Sequence, residues 1–380
     1  MKSYKSSLCA VAATIAAFSN TAIAAQFAIE GRSMGMGNVS VATADIATAA
    51  FGNPAMLANQ RADDDFSLLI GLGGMINDDG KMLDDIDDFQ AADANNDLAG
   101  MATAINNMNG KVIAPELTTA FAFGFAGETY SFAVSARGDL ISAGTLTNVD
   151  ITNPGLVDPT KNILSFEGVL ATEIGVSIAR IFDVMGSELS IGIKPKVVQY
   201  EAKSFDEPVL TIGDSLSDLT DDGSTVELDD VVTVDLGVAY DLTDSVRLGF
   251  VAKNLITDDF QVGAFTFEVN TEYRAGIAYH SDFLTVGFDL DLKENDPLLS
   301  NPVFSGLKTQ YASVGAEFNV FDYVQLRVGA SKNIAGGIPD GAKETSYYAG
   351  IGFWLGFNLD VAVASRDESL GAYLQMGFKF

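Results

Sequence analysis

The chain is poor in the residues that usually mark an enzyme or a metal protein: one cysteine, one histidine and one tryptophan in 380 residues. Cys9 lies within a stretch that has the form of an export signal. Lys2 and Lys5 precede a short apolar run from Leu8 to Phe18, and Ala22-Ile23-Ala24 follows as a small-x-small cleavage site. Cys9 comes before the apolar run and after Leu8, so it is read as incidental rather than as a lipid attachment point. Removing residues 1–24 leaves no disulfide, no thiol nucleophile and no Cys metal ligand. Basic residues are also scarce, 22 against 51 acids. The signal holds two lysines and no acid, so the formal charge of −29 becomes −31 after cleavage. Nucleic acid, which needs a cationic surface, is excluded as a partner. No later stretch approaches the ~18 unbroken apolar residues of a membrane helix, although 48% of the residues are hydrophobic.

What the chain has instead is period-two alternation from about Phe66 to its end. Fourteen strands are expected, near 66–75, 116–126, 130–138, 163–182, 188–201, 229–242, 245–256, 268–280, 283–293, 307–320, 323–332, 344–355, 358–366 and 370–380. Leu284, Val286, Phe288, Leu290 and Leu292 share one face, with Thr285, Gly287, Asp289 and Asp291 on the other. Val324, Leu326, Val328 and Ala330 likewise oppose Gln325, Arg327, Gly329 and Ser331. Tight turns such as Met185-Gly186-Ser187 and Thr243-Asp244-Ser245 alternate with gaps of mostly ten residues or more. Short turns at one rim, long loops at the other and an even strand count describe an all-β, up-and-down transmembrane barrel spanning 61–380. The last strand puts Leu370, Ala372, Leu374, Met376, Phe378 and Phe380 on one face. Phe378 and Phe380 there resemble the terminal signal read by the outer-membrane assembly machinery. Tyr240, Tyr273, Tyr279, Tyr323 and Phe380 fall near strand ends, where an interfacial girdle belongs.

Two long gaps are acidic. Residues 77–112 form the first, and 77–110 hold eight Asp against one Lys. Met82, Ile86, Phe89, Met101, Ile105 and Met108 recur there at helical spacing. This predicts a helical hairpin over one barrel mouth, with Met and Phe side chains available to greasy solutes. The second, 202–228, has seven acids against Lys203 and reads as an outer loop.

Residues 25–60 precede the first strand: Gly31-Arg32-Ser33-Met34-Gly35-Met36-Gly37, a small-residue run with Asp45, then Asn53-Pro54-Ala55-Met56-Leu57. This arrangement resembles the N-terminal plug of FadL-type outer-membrane transport barrels. Within that group, the helical acidic insert and the segment from Arg247 to Ile256 resemble most closely the barrel proteins called conjugal transfer protein TraF. The resemblance implies plug residues Gly35, Gly37, Asp45, Asn53, Pro54, Ala55 and Leu57. It also implies either uptake of small or hydrophobic molecules or a structural role in a conjugation or surface apparatus. The periplasmic thioredoxin-like TraF is a different protein, since this mature chain has no Cys-x-x-Cys. A physical argument runs parallel. Eight strands fill their own interior and sixteen to eighteen leave a channel, so fourteen need an occupant, unless 25–60 is an ordered periplasmic cap. Asn53-Pro54 is expected to end a short helix.

Inward-facing charges are expected at Lys194, Lys196, Asp235, Arg247, Lys253, Arg274, Asp289, Asp291, Glu317 and Arg327. They either line a path or pair with one another and with Arg32 or Asp45. A hydrolytic site would need a convergent nucleophile, base and orienting group. His280 beside Ser281-Asp282 reads as a turn-flanking polar residue, because strand neighbours do not converge. Asp93-x-Asn95-x-Asp97 starts like a calcium loop, but Leu98 stands where Gly is required and Ala104 where Glu is required. No cofactor, metal centre or catalytic activity is expected. The expected partners are outer-membrane lipid and lipopolysaccharide, the barrel-assembly machinery and a hydrophobic small-molecule ligand.

Overall fold

The alternating segments fold as fourteen antiparallel strands. The computed structural model describes residues 30–58, 66–78, 80–147, 162–209, 224–227, 230–257, 259–262, 265–296, 299–300, 308–321, 323–336, 345–366 and 369–379. The barrel strands are β1 Phe66–Asn77, β2 Val112–Phe125, β3 Tyr130–Thr147, β4 Ile163–Val184, β5 Ser187–Pro208, β6 Val231–Thr243 and β7 Val246–Lys253. They continue as β8 Glu272–His280, β9 Leu284–Asp291, β10 Tyr311–Val320, β11 Val324–Asn333, β12 Thr345–Trp354, β13 Asn358–Arg366 and β14 Ser369–Lys379. Each pairs with the next, and β14 pairs back onto β1, with Leu72 opposite Leu374. Closure leaves no unpaired edge, the condition for a sheet in lipid. Short accessory strands lie on the loop side, at Ser224–Glu227, Asp259–Val262, Phe265–Glu268 and Leu299–Ser300.

The two faces of this wall are chemically opposite. Leu72 and Ile174 are 58% exposed, and Phe121, Val134, Ile193, Phe288, Val328 and Leu374 are exposed with them. An apolar band of that extent is far beyond the patches of a soluble monomer and is the lipid face of a membrane barrel. Ser135, Ser177, Thr233, Asp289 and Arg327 face inward and are buried. No helix among the described residues is long and apolar enough to cross a membrane; the strands make the crossing. At the short-turn rim, Met185 and Gly186 both have positive φ (57° and 82°), as a two-residue type I′ hairpin requires. Exposed Phe66, Tyr130, Tyr279, Phe283, Phe321 and Tyr323 mark that rim. Phe380 lies outside the described residues.

At the loop end several strands run longer than expected. β2 begins at Val112, β3 continues to Thr147, and β5 continues to Pro208. The first part of the loop expected from 202 is therefore strand. β4 and β5 have 22 residues each, against the 9–11 that cross a bilayer, so they project well beyond it. β8 begins at Glu272 rather than 268. Between β1 and β2 stand α1 Met82–Ala94 and α2 Leu98–Met108. The aspartates begin both helices: Asp78 accepts from Met82 N (2.6 Å) and Leu83 N (2.9 Å), and Asp97 from Ala99 N and Gly100 N. Acidic caps satisfy free N–H groups and suit the positive helix end.

The hairpin does not close the mouth. Met82, Ile86, Phe89, Met101, Ile105 and Met108 are buried against Ile113, Leu146, Leu164 and Phe166. Those four share strand parity with the outward-facing Phe121, Phe132 and Ile174, so the hairpin leans on the outside of the projecting wall. Burial stabilises each large side chain by about 1.5–3 kcal/mol, and these methionines are packed rather than available to a solute. Residues 30–58 lie inside the cylinder, almost wholly buried.

Candidate functional site: the occupied lumen

The inner segment is built for close approach to the wall. It opens with a short helix at Gly31–Gly35, capped by Glu30, whose carboxylate accepts from Arg32 N (2.8 Å) and Ser33 N (2.9 Å). Gly37 then turns the chain at φ 74°. Turns from Asp45 to Gly52 end before Asn53, and Pro54–Ala58 forms a 3-10 turn. Asn53-Pro54 thus starts a turn as well as following one, as suits a proline whose missing N–H is not needed there. Asn53 Nδ2 donates to Val41 O (2.8 Å) and Val238 O (3.2 Å), and its Oδ1 accepts from Ala55 N (3.0 Å). Ala55 and Leu57 are fully buried among the wall alanines Ala120, Ala122, Ala133, Ala179 and Ala239.

Opposite this segment the wall has a belt of glycines in cross-strand register: Gly192 with Gly237, Gly249 with Gly276, and Gly287 with Gly315, which pairs on to Gly329. A Cβ at Gly315 would lie 2.1 Å from Met36 O, and one at Gly329 2.2 Å from Gly37 N. Backbone therefore touches backbone, a contact only glycine permits. Gly35 fits the same way against Gly350 and the stem of Arg327.

Charged wall residues tie the segment down. Arg32 reaches Glu317 through two nitrogens, at 2.8 and 2.9 Å. Asp45 pairs with Lys379 (2.8 Å). Asp289 Oδ2 accepts from Ser40 N (2.7 Å) and Val41 N (3.0 Å). Lys194 donates to Ala50 O (2.8 Å) and Lys253 to Phe51 O (2.6 Å). Burial alone would push the Asp45 carboxyl up, but Lys379 and Arg32 hold it well below the usual carboxylate range. Burial, with the Asp45 charge nearby, pushes Glu30 from 4.5 to about 7.

All ten charges expected to face inward do so and are buried. Glu317 and Arg327 pair across β10 and β11 at 2.6 Å, and Arg327 also reaches Asp360 on β13 at 2.5 Å. It passes over Gly350 and Gly352 of β12, where a side chain would obstruct it. Arg274 pairs with Asp291 (2.6 Å) and Arg247 with Asp241 (2.5 Å). Sequence reasoning missed Glu30, Glu173, Asp360, Gln375 and Lys379. The alternation of Asp360 with Leu359 and Val361 marked its inward face; nothing marked Lys379 as an anchor.

On the loop side of the inner segment lies a cavity of about 140 Å³. Met34 and Phe51 form its floor, and Glu116, Arg137, Asp139, Glu173, Lys194, Lys196, Asp235, Lys253 and Glu272 are among its walls, with Tyr200 and Tyr373. The hairpin expected to offer Met and Phe to solutes supplies none of these residues.

His280 donates its backbone N–H to Ser245 O (2.8 Å), while the Ser281 hydroxyl bonds Leu284 within its own turn. Those residues do not form a triad. Asp93 lies in α1 and Asp97 caps α2, and among the described residues no group of three or more His, Cys, Asp or Glu side chains could hold a metal.

A family model described as "F plasmid transfer operon, TraF, protein" matches residues 50–291. No curated protein matches the sequence. Solved structures with a similar fold include the toluene transporter TodX of P. putida, at 15% identity and TM-score 0.58, covering 95% of this chain and 99% of that one. The Ralstonia pickettii toluene transporter TbuX aligns at 14% identity and TM-score 0.56, covering 93% and 99%. A Pseudomonas aeruginosa FadL homologue aligns at 12% identity and TM-score 0.55, covering 93% and 99%. The fold is that of outer-membrane FadL-type barrels.

Proposed function

This chain belongs to the F plasmid transfer operon TraF protein family, and from that premise and the geometry of its lumen we propose that it is a plugged outer-membrane channel for small molecules. Residues 1–24 are its cleaved export signal, and 25–60 are the plug. The observation that carries this reading is the seam between plug and wall. Plug backbone lies against wall glycines and is held by Glu317, Asp289, Lys194, Lys253 and Lys379, below a chamber on the loop side. Its volume of about 140 Å³ is close to the ~150 Å³ cavity that holds a benzene ring, which supports a solute of single-ring size. The TodX and TbuX structures, named as toluene transporters, support the same size class. No catalytic step is assigned.

The test is uptake of benzyl alcohol into proteoliposomes. The intact protein admits it slowly, and Asn53→Ala, which removes the bonds to Val41 and Val238, admits it faster. Equal and background-level flux in both, with plasmid mating lost on deletion of 82–108, would assign the chain instead to a conjugation apparatus.

A further inference from the structure

We propose that Arg180, on the lipid-facing wall at the turn rim, binds the phosphate diester of a glycerophospholipid in the inner leaflet of the outer membrane. The site depends on the barrel spanning that membrane and on nothing that passes through the lumen. Alternation gives every strand one outward face, and among the described side chains that face is almost free of charge. The exceptions are Glu201 of β5 and Lys332 of β11 near the loop end, and Arg180 of β4 near the turns. Ile174, Val176 and Ile178 precede Arg180 on this face and Phe182 follows it, all of them exposed. Arg180 pairs with Tyr130, the first residue of β3, so it lies level with the aromatic rim rather than within the apolar band. A charge on the lipid face is costly at mid-membrane and tolerated near the interface. Its height is therefore that of the lipid headgroups, and on the short-turn side these belong to the periplasmic leaflet.

The guanidinium is held in place and only partly used. Its central carbon lies 5.1 Å from the ring centroid of Tyr130 and 4.9 Å from that of Phe182, within the range at which a ring attracts a cation. Nη1 donates to the Tyr130 hydroxyl at 3.0 Å, the one hydrogen bond this side chain makes among the described residues. No carboxylate there pairs with it. Asp183, the nearest acid along the strand, accepts from Gly186 N (3.1 Å) within its own turn. The inward arginines differ, since Arg137, Arg247, Arg274 and Arg327 each meet a carboxylate. A guanidinium presents its N–H groups as a rigid planar fork that fits two phosphate oxygens at once, and Nε and Nη2 of Arg180 remain for that purpose. Phe132 and Ile178, paired one step nearer mid-membrane, offer the acyl chains an apolar wall. The anion this arginine lacks is the one the membrane supplies at its height.

The experiment is native mass spectrometry of the protein purified from outer membranes, delipidated in a non-ionic detergent and titrated with phosphatidylethanolamine. The first phosphatidylethanolamine is expected to bind roughly tenfold tighter than the diacylglycerol with the same chains. Inorganic phosphate at the same concentration is expected not to displace it. Arg180→Gln is expected to weaken that first binding about tenfold. Lys332→Gln, which removes the outward cation at the other rim, is the control and is expected to leave it unchanged. Heat-modified gel migration verifies that each variant is folded. Wild-type affinity in folded Arg180→Gln, diacylglycerol binding as tight as phosphatidylethanolamine, displacement by inorganic phosphate, or equal weakening by Lys332→Gln each overturns the proposal.

Discussion

Gly315→Ala tests the seam at its tightest point. An added Cβ would lie 2.1 Å from Met36 O and 2.7 Å from both Met36 C and Met36 Cβ, where ordinary contact begins at 3.4 Å. The obstacle is backbone, so no flexible side chain can swing away. Gly315 is laddered to Gly287 on one side and Gly329 on the other, so the wall resists and the segment has to recede by roughly 1 Å. Overpacking of this kind costs about 1–3 kcal/mol. At 1.4 kcal/mol per factor of ten, the displaced population grows roughly five- to a hundredfold. Gly377→Ala is the matched control, because its nearest atoms would be 3.5 and 3.6 Å away and the methyl fits. The assay is iodide quenching of a dye trapped in proteoliposomes. Gly315→Ala should leak faster than wild type while Gly377→Ala does not. If the two variants leak alike, or neither departs from wild type, the packing argument is wrong.

Other perturbations act on the anchors. Arg32→Ala removes a two-nitrogen contact to Glu317, but Glu317 keeps Arg327, so the loss should be ~2 kcal/mol, below the usual cost of breaking a buried pair; a lower melting temperature in micelles reads it. Glu30 is raised to about 7 from 4.5, so the folded state holds a proton the unfolded state has lost. Stability should fall as pH rises from 4.5 to 7, by on the order of 3 kcal/mol, and Glu30→Gln should flatten that slope in melts taken across the range. Asp45 has the opposite sign: its contribution is present above about pH 3.8 and should be lost only in stronger acid, through the depressed folded value. Phe378→Ala, on the outward face of β14 with its ring 5.8 Å from Phe357, should lower the yield of folded protein in outer-membrane fractions; unchanged yield removes Phe378 as an assembly signal.

The barrel was legible because lipid and lumen make opposite demands on neighbouring residues, and that contrast persists for the length of a crossing. It fades where the contrast ends. In the projecting parts of β2 and β3, Ile113 and Ala114, or Thr145 and Leu146, are buried on both faces, and there the predicted boundaries stopped short. The hairpin was readable as helix from its spacing, but its docking partner was not. Apolar periodicity says that a face is buried, not which side of a wall buries it. Lumen charges were readable by parity, whereas the pairing of Glu317 with Arg327 needed the strand register. The bonds that Lys194 and Lys253 make to the inner segment were not readable, since their acceptors are backbone carbonyls more than a hundred residues away. Wall glycines stood out in the inward set, yet their purpose emerged only once Met36 and Gly37 were seen against them.

The central claim is that residues 30–58 seal the cylinder, and planar-bilayer conductance measures this most directly. The intact protein should insert without conductance steps, and a variant lacking 30–58 should give stable steps of a water-filled pore. An intact protein that conducts as freely as the deletion variant would contradict the account.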